Sequence, residues 1–176
     1  MILRIFPLSR KMQAHLIVDG NNALHSVEDL NSILRHDRRE ARNALVRLLQ
    51  PIHDEDGCRV TVVFDGREGI GSIQKFGPDD TFSIVYSSSE QSADGAIERM
   101  LLAARNPEVI TVATNDNLIR NCAYEVGASA LRVEDLPKWV DRAVSRRVAR
   151  EGNASPAKVT LPFRNSIEIP DDFKGK

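Results

Sequence analysis

The sequence predicts an α/β domain in which helices cover both faces of a mostly parallel, five-stranded sheet. Short apolar runs alternate with segments whose apolar residues recur at helical spacing, and three of the apolar runs end at or near an aspartate. A chain of 176 residues can bury a sizeable core in one domain. The net charge of -1 argues against binding nucleic acid through overall charge. A local basic rim around the site could still bind nucleic acid in a chain of this net charge.

Each element is assigned from its local pattern. The predicted strands are 14–18, 59–64, 81–86, 109–113 and 129–133. The predicted helices are 23–34, 38–50, 92–104, 116–126 and 134–150. Asp37 and Ser92 are suitable N-caps, Pro51 is a stop signal for the second helix, and Gly127 is one for the fourth. Between the second and third strands, 66–80 is predicted to be a long loop, a length that is usually functional or mobile.

Four aspartates are expected to meet at one edge of this sheet. Asp19, Asp65 and Asp116 follow three of the predicted strands, and Asp94 lies in the first turn of the helix after another. Open α/β proteins bind ligands at the carboxyl ends of their strands. Taken singly, each acid is also explained as a turn residue or a helix cap. Together, four uncompensated carboxylates would repel one another, and a metal ion would relieve that repulsion.

An acid cluster of this kind suits Mg²⁺ or Mn²⁺, which prefer oxygen ligands. Two such ions can stabilise the attacking and the leaving oxygen in phosphodiester hydrolysis, so no histidine base is needed. Glu98 lies four residues after Asp94 on the same helix face and is a further candidate ligand. The candidate substrate-binding residues are Asn22, Asn115 and Asn117 near the acids, with Arg67 and Lys75 in the long loop.

Two predicted helices also have arginine-rich faces. They are formed by Arg38, Arg39 and Arg42 on the second helix and by Arg142, Arg146, Arg147 and Arg150 on the last. Most charge runs of this type are solvated faces. The functional alternative is a rim that contacts the phosphates of a nucleic acid.

Four motifs resemble, in order and spacing, the NYN domain of the YacP-like group within the PIN-like nuclease superfamily. They are LIVDGNN at 16–22, VFDG at 63–66, SADGAIE at 92–98 and TNDN at 114–117. The resemblance covers about residues 14–150 and implies a Rossmann-like, three-layer α/β/α (PIN-like) fold and a metal-dependent endoribonuclease. One departure is Gly95, where a second acid often follows the aspartate.

The resemblance also implies roles for individual residues. Asp19, Asp94 and Asp116 would be the catalytic, metal-binding acids, with Asp65 and Glu98 as accessory ligands and Asn22 as a polar support. RNA would be the substrate. Some members of the group are thought to act on RNA at the ribosome, which makes the ribosome a candidate partner.

The sequence also indicates where the protein is located and which ligands it is not expected to bind. Neither Cys58 nor Cys122 lies in a CxxC pair, so there is no zinc-site spacing, and isolated thiols fit a reducing cytoplasm. No apolar stretch approaches the length of a membrane span, so no membrane partner is expected. No Gly-x-Gly-x-x-Gly follows the first strand, so no nucleotide cofactor is expected.

The ends of the chain fall outside the predicted domain. Residues 1–13 form an N-terminal extension that would be shorter if Met12 were the true start, and 151–176 form an extended tail. The alternative function is a non-catalytic, RNA-binding or ribosome-associated module with a vestigial site. A phosphatase is less favoured, because Asn21 stands where one large phosphatase class has a second acid.

Overall fold

The computed structural model describes residues 13–66, 71–76, 81–88 and 90–153. Its strands form one sheet in the order β3-β4-β2-β1-β5-β6. The strands are β1 His15–Asp19, β2 Arg59–Phe64, β3 Ser72–Phe76, β4 Phe82–Tyr86, β5 Ile110–Ala113 and β6 Ser129–Leu131. Every pairing is parallel except that of β3 with β4. The mostly parallel sheet is therefore confirmed, with one strand more than the sequence predicted.

In the described part of the chain, six α-helices flank the sheet. They are α1 Gly20–Ser26, α2 Glu28–Leu34, α3 Arg38–Asp56, α4 Ala93–Leu102, α5 Asn117–Glu125 and α6 Leu136–Asn153. Helices α1, α2, α3 and α6 bury their apolar residues against one face of the sheet, and α4 and α5 against the other. This division confirms the three-layer α/β/α fold. None of the helices in the described ranges is long and apolar enough to cross a membrane.

The additional strand lies inside the segment that was predicted to be a loop. β3 pairs antiparallel with β4, so that Ser72 lies opposite Tyr86 and Lys75 opposite Ser83. The pattern of a five-residue edge strand is too short to distinguish from a loop, because its pairing with β4 supplies most of what stabilises it. The prediction of a structureless 66–80 loop was wrong for this part.

Two helix boundaries also differ from the prediction. The predicted 23–34 helix is two helices, because α1 ends at Ser26 and α2 begins at Glu28, with Val27 in an extended conformation between them. The predicted stop at Pro51 was wrong, since α3 continues through it to Asp56. Leu49 and Ile52, on either side of the proline, are both fully buried, and this packing keeps the helix intact despite the lost hydrogen bond.

The predicted capping signals are confirmed. Asp37 accepts hydrogen bonds from Arg39 N and Glu40 N at the start of α3. The Ser92 hydroxyl accepts one from Gly95 N at the start of α4. Gly127 has a positive φ of 88° just after α5. Of these signals, the Ser92 cap bears on the acids, because it fixes where α4 begins and so places Asp94 in the first turn.

Candidate functional site

Asp19 is the last residue of β1 and is almost completely buried. It caps α1, because its Oδ1 accepts a hydrogen bond of 3.0 Å from Asn22 N. Its Oδ2 accepts two more, from the Asn22 side-chain amide and, at 3.0 Å, from the Thr114 hydroxyl. The carboxylate is thus held in one orientation at the carboxyl edge of the sheet, and Asn22 orients it.

Thr114 joins Asp19 to Asp116. It directly follows β5, is fully buried, and its Oγ1 accepts a hydrogen bond of 3.1 Å from Asp116 N while it donates to Asp19. Asp116 caps α5, since its Oδ1 accepts from Leu118 N at 2.6 Å and from Ile119 N at 3.3 Å. No described residue donates to the other carboxylate oxygen of Asp116. One oxygen of this acid therefore orients the helix and the other stays open.

Asp65 ties β2 to the helix that contains Asp94. Its Oδ1 accepts a hydrogen bond of 2.7 Å from Ala93 N, and its Oδ2 accepts one from the side-chain amide of Asn21. The next residue, Gly66, donates from its N to the Ser87 hydroxyl at 3.2 Å. A Cβ at position 66 would lie 1.8 Å from the Ser87 carbonyl oxygen, so only glycine fits there. Asp65 consequently fixes the first turn of α4.

Asp94, in that first turn, is exposed and is influenced by the other three acids. Loss of hydration and then the charges of Asp19, Asp116 and Asp65 raise the pKa of its carboxyl above the ordinary 3.8. The structure therefore brings together the four aspartates that the sequence placed at one edge. None of them forms an ion pair within the described part of the chain.

The spacing of these acids does not form a closed metal cage. Among the described residues, no three His, Cys, Asp or Glu side chains are grouped closely enough to hold a metal ion. The donor set still fits a hydrated Mg²⁺ or Mn²⁺, because Mg²⁺ keeps several waters and binds through one or two carboxylates together with substrate phosphates. Asp94 and the open oxygen of Asp116 are the groups available for that contact.

Other predicted site residues lie at different distances from this edge. Glu98 is exposed one turn further along α4, where its charge acts on the Cys122 thiol of α5 and helps to raise the pKa of that thiol, after the larger effect of burial. Asn117 is exposed in the first turn of α5, and no described residue occupies its side-chain amide. Arg67 lies outside the described residues.

Asn115 and Lys75 are placed away from the acids' open side. The Asn115 amide donates to Glu134 Oε1 at 2.7 Å and to Ser26 Oγ at 3.2 Å, and its Oδ1 accepts from Val133 N. These bonds tie α1 to the turn before α6, which gives Asn115 a structural role here. Lys75 lies opposite Ser83, near the amino end of β4, whereas the acids lie at the carboxyl ends of the strands.

A cation also lies near the acidic edge. The Arg42 guanidinium is 4.9 Å from the centroid of the Phe64 ring and 5.3 Å from that of Tyr86, the last residues of β2 and β4. No described acid forms an ion pair with it, and its Nε is buried without a hydrogen-bond partner. The aromatic rings hold the charge in place by cation–π interaction. Of the arginine faces noted in the sequence, this residue is the one that approaches the site.

Thr114 and Asn21 were not identified as functional from the sequence. Both lie inside the quoted motifs, but a threonine after a strand and an asparagine in a turn are common. Their roles depend on contacts that are distant in sequence, from Thr114 to Asp19 and from Asn21 to Asp65. Only the position of these residues beside motif aspartates could have indicated them.

Comparison with known proteins identifies relatives of the whole domain. The family model described as the YacP-like NYN domain matches residues 16–162. The uncharacterized protein YacP of Bacillus subtilis (strain 168) is 27% identical over 151 residues, which cover 83% of this chain and 88% of that protein.

Two solved structures are similar in fold. A crystal structure of Rae1 (YacP) from Bacillus subtilis, in a mutant form, superposes with a TM-score of 0.62 at 24% identity, covering 82% of this chain and 86% of that one. A second crystal structure of Rae1 (YacP) gives a TM-score of 0.59 at 26% identity, covering 80% of each chain.

Proposed function

This chain belongs to the YacP-like NYN domain family, and we propose that it hydrolyses RNA phosphodiester bonds as an endoribonuclease dependent on Mg²⁺ or Mn²⁺. The family is one of nuclease-like, RNA-related domains. The proposal goes further than the family by assigning the reaction, the cation and the residues that would act.

One observation supports the proposal above all. Four carboxylates share the carboxyl edge of the sheet without an ion pair from the described residues, and the charges of the other three help to raise the pKa of Asp94. Such an arrangement destabilises the protein unless a cation offsets it. A divalent cation bound there would neutralise the carboxylates and activate a water for attack on phosphorus.

In this proposal different residues of the chain contact the cation, position the acids and bind the substrate. Asp94 and the open oxygen of Asp116 would contact the cation, and Asp19 and Asp65 would set the charge and geometry of the edge. Thr114 and Asn22 are positioning residues, because they hold Asp19. Asn117 and the Arg42 guanidinium are the described groups available to a substrate phosphate. Glu98 would support the site as an outer acid.

A non-catalytic, RNA-binding module is the second candidate. The observation that favours it is that Asp19, Asp65 and Asp116 are each engaged by backbone or side-chain donors, while no three acids form a metal cage among the described residues. In that case the acids would be retained as caps. RNA binding that EDTA leaves unchanged, without cleavage, would select this alternative.

The decisive experiment compares cleavage of a mixed-sequence, structured RNA by the wild type and Asp94→Asn with Mg²⁺, Mn²⁺ or EDTA. Asp141→Asn is the matched control, since Asp141 is an exposed acid of α6, away from the site. We expect cleavage by the wild type and the control with either metal, and none by Asp94→Asn or with EDTA. Equal cleavage by wild type and Asp94→Asn would contradict the proposal.

The partner and the location are proposals of the same kind. We propose a cytoplasmic protein that meets its RNA at the ribosome. Sedimentation of a cell extract tests this, because the protein should migrate with ribosomal particles and return to the top of the gradient when the particles are dissociated. A protein found only at the top under both conditions would contradict ribosome association.

A further inference from the structure

On the face of the sheet that α4 covers, apolar and basic side chains line a groove. Two neighbouring cavities, of about 490 and 450 Å³, share Ile73 of β3, Val85 of β4 and Met100 of α4 in their walls. They therefore form one continuous groove between the β3–β4 pair and α4. We call it the α4 groove.

The charges of the described residues that line the α4 groove are of one sign. Arg99 lines the first cavity, and Arg59 and Lys75 line the second, while none of the described lining residues is an aspartate or a glutamate. The chain as a whole has 25 acidic residues against 24 basic ones, so an acid-free lining is a local feature. Arg99 is exposed and forms no ion pair with any described residue. The groove is thus complementary to an anionic ligand with apolar parts.

The groove opens at the acidic edge. Ser87 and Gln91 are in the wall of its first cavity. The Ser87 hydroxyl accepts a hydrogen bond from Gly66 N, directly after Asp65, and Gln91 lies three residues before Asp94. A chain lying in the groove would therefore lead to the four aspartates.

We propose that the α4 groove binds single-stranded RNA on one side of the bond that is cleaved. This inference rests on the proposed function for its substrate. Unpaired bases would lie against Ile73, Val85 and Met100, and the phosphates would face Arg99. Grooves for single-stranded nucleic acids combine a positively charged track with apolar surfaces for the bases. Paired bases are not free to enter such a groove, so duplex RNA should bind less tightly.

The test uses two substitutions of exposed side chains, Arg99→Glu and Ile73→Glu. Ile73 is 64% exposed, so neither change disturbs the core. Matched controls on the opposite face of the sheet are Arg35→Glu after α2 and Val148→Glu on α6, where Val148 is 62% exposed. Binding of a fluorescein-labelled, 12-nucleotide single-stranded RNA is measured by anisotropy in EDTA, and cleavage of the same RNA with Mn²⁺.

We expect each groove variant to bind this RNA about 10-fold more weakly and to raise KM more than it lowers kcat, with the controls like wild type. Arg99→Glu should also reduce the slope of log Kd against log salt by about one, as expected for a lost phosphate contact. A duplex of the same sequence should bind more weakly than the single strand.

The outcomes separate the two proposals. If wild type cleaves with metal and Asp94→Asn does not, but groove variants bind and cleave like the controls, the groove inference is wrong and the nuclease proposal stands. If no protein cleaves, but binding is weakened by the groove variants alone, the α4 groove binds single-stranded RNA as inferred, whereas the nuclease proposal, and with it the placement of this RNA beside a cleaved bond, is wrong. If wild type neither binds nor cleaves RNA, both are wrong.

Discussion

Two groups of acids in this molecule differ in what neutralises them. At the end of α3, Asp56 accepts two hydrogen bonds from Arg146 of α6, at 2.6 and 2.8 Å, and one from Trp139 Nε1 at 2.9 Å. The neighbouring Glu55 lies 3.8 Å from a guanidinium nitrogen of Arg147 and of Arg150. These acids are paired with cations of the same chain and join two helices.

Three of the four aspartates at the sheet edge have neutral partners instead. Backbone amides, asparagine side chains and one threonine hydroxyl hold Asp19, Asp65 and Asp116, and no described cation pairs with any of the four. Such groups fix a carboxylate in place without neutralising it. The comparison teaches that the paired acids serve stability, whereas the charge of Asp94 is opposed by the other three edge acids and, in the proposed function, would be offset by a cation from outside the chain.

After the complete loss of cleavage expected for Asp94→Asn, the largest expected effect is a fall in cleavage in Asp19→Asn. We expect the single-turnover rate with Mn²⁺ to fall by roughly 10²–10⁴-fold, the range for removal of a positioned catalytic group. Asp56→Asn also removes one negative charge, but from the paired group, and should leave the cleavage rate unchanged. A wild-type rate in Asp19→Asn, or a matching loss in Asp56→Asn, would remove the distinction between the two groups.

A smaller effect is expected from Thr114→Val, which keeps the shape but loses the hydroxyl between Asp19 and Asp116. Cleavage should fall by about 10–100-fold, as for other residues that orient metal-site ligands. Thr114→Ser, which restores the hydroxyl, should recover most of the rate. If the serine variant is as slow as the valine variant, Thr114 acts through packing and its proposed positioning role is wrong.

Stability should respond at the paired group. Asp56→Ala removes the bidentate contact with Arg146 and the bond from Trp139, and we expect it to lower the free energy of unfolding by about 1 kcal/mol. Urea denaturation measures this change. The difference should shrink in high salt, which screens partly exposed ion pairs. An unchanged midpoint would show that the paired acids do not serve stability.

The smallest expected effect is a difference in how protein stability depends on pH, between the edge acid Asp94 and an ion-paired acid, Asp135. Because the folded state raises the pKa of Asp94, its charge opposes folding above that pKa, and the penalty disappears as the pH falls below the ordinary 3.8. Hydrogen bonding to Lys138 lowers the pKa of Asp135, so Asp135 stabilises the fold above 3.8 and loses this contribution as the pH falls through its folded pKa.

Thermal unfolding of two variants tests these signs. In EDTA at neutral pH, Asp94→Asn should have a higher Tm than wild type, and Asp135→Asn a lower one, with both differences fading in acid. Mg²⁺ should reduce or reverse the advantage of Asp94→Asn, because a bound cation stabilises only the wild-type edge. A lower Tm for Asp94→Asn in EDTA would contradict the expectation that the charge of Asp94 opposes folding.

The sequence predicted the acidic edge because the rule behind it is local. Strand runs that end in aspartates, joined by helices, place those aspartates at one edge whatever the details of packing. The position of Asp94 followed in the same way from the Ser92 cap. The structure adds the residues that connect the acids to one another, such as Thr114, whose hydroxyl lies between Asp19 and Asp116.

The features that were missed depend on contacts between distant segments. β3 is a short edge strand whose only pairing in the described sheet is with β4, and so its sequence alone does not reveal it. Pro51 is a strong local stop signal, yet burial of Leu49 and Ile52 overrides it. Local turn and capping signals therefore predicted the positions of the acids well, and the boundaries of the surrounding helices and strands less well.

Two glycines beside the acids bear on how this domain can evolve. A Cβ at Gly20, directly after Asp19, would lie 2.3 Å from the Phe64 ring, and one at Gly66, directly after Asp65, would meet the Ser87 carbonyl. An acid can be exchanged for asparagine without such a clash, whereas a side chain at position 20 would have to displace the buried Phe64 ring and one at position 66 the backbone of Ser87. If the proposed catalysis were lost in a lineage, we therefore expect its aspartates to be lost before its glycines. On that proposal, a relative that keeps glycine at both positions beside a missing aspartate would be a pseudoenzyme.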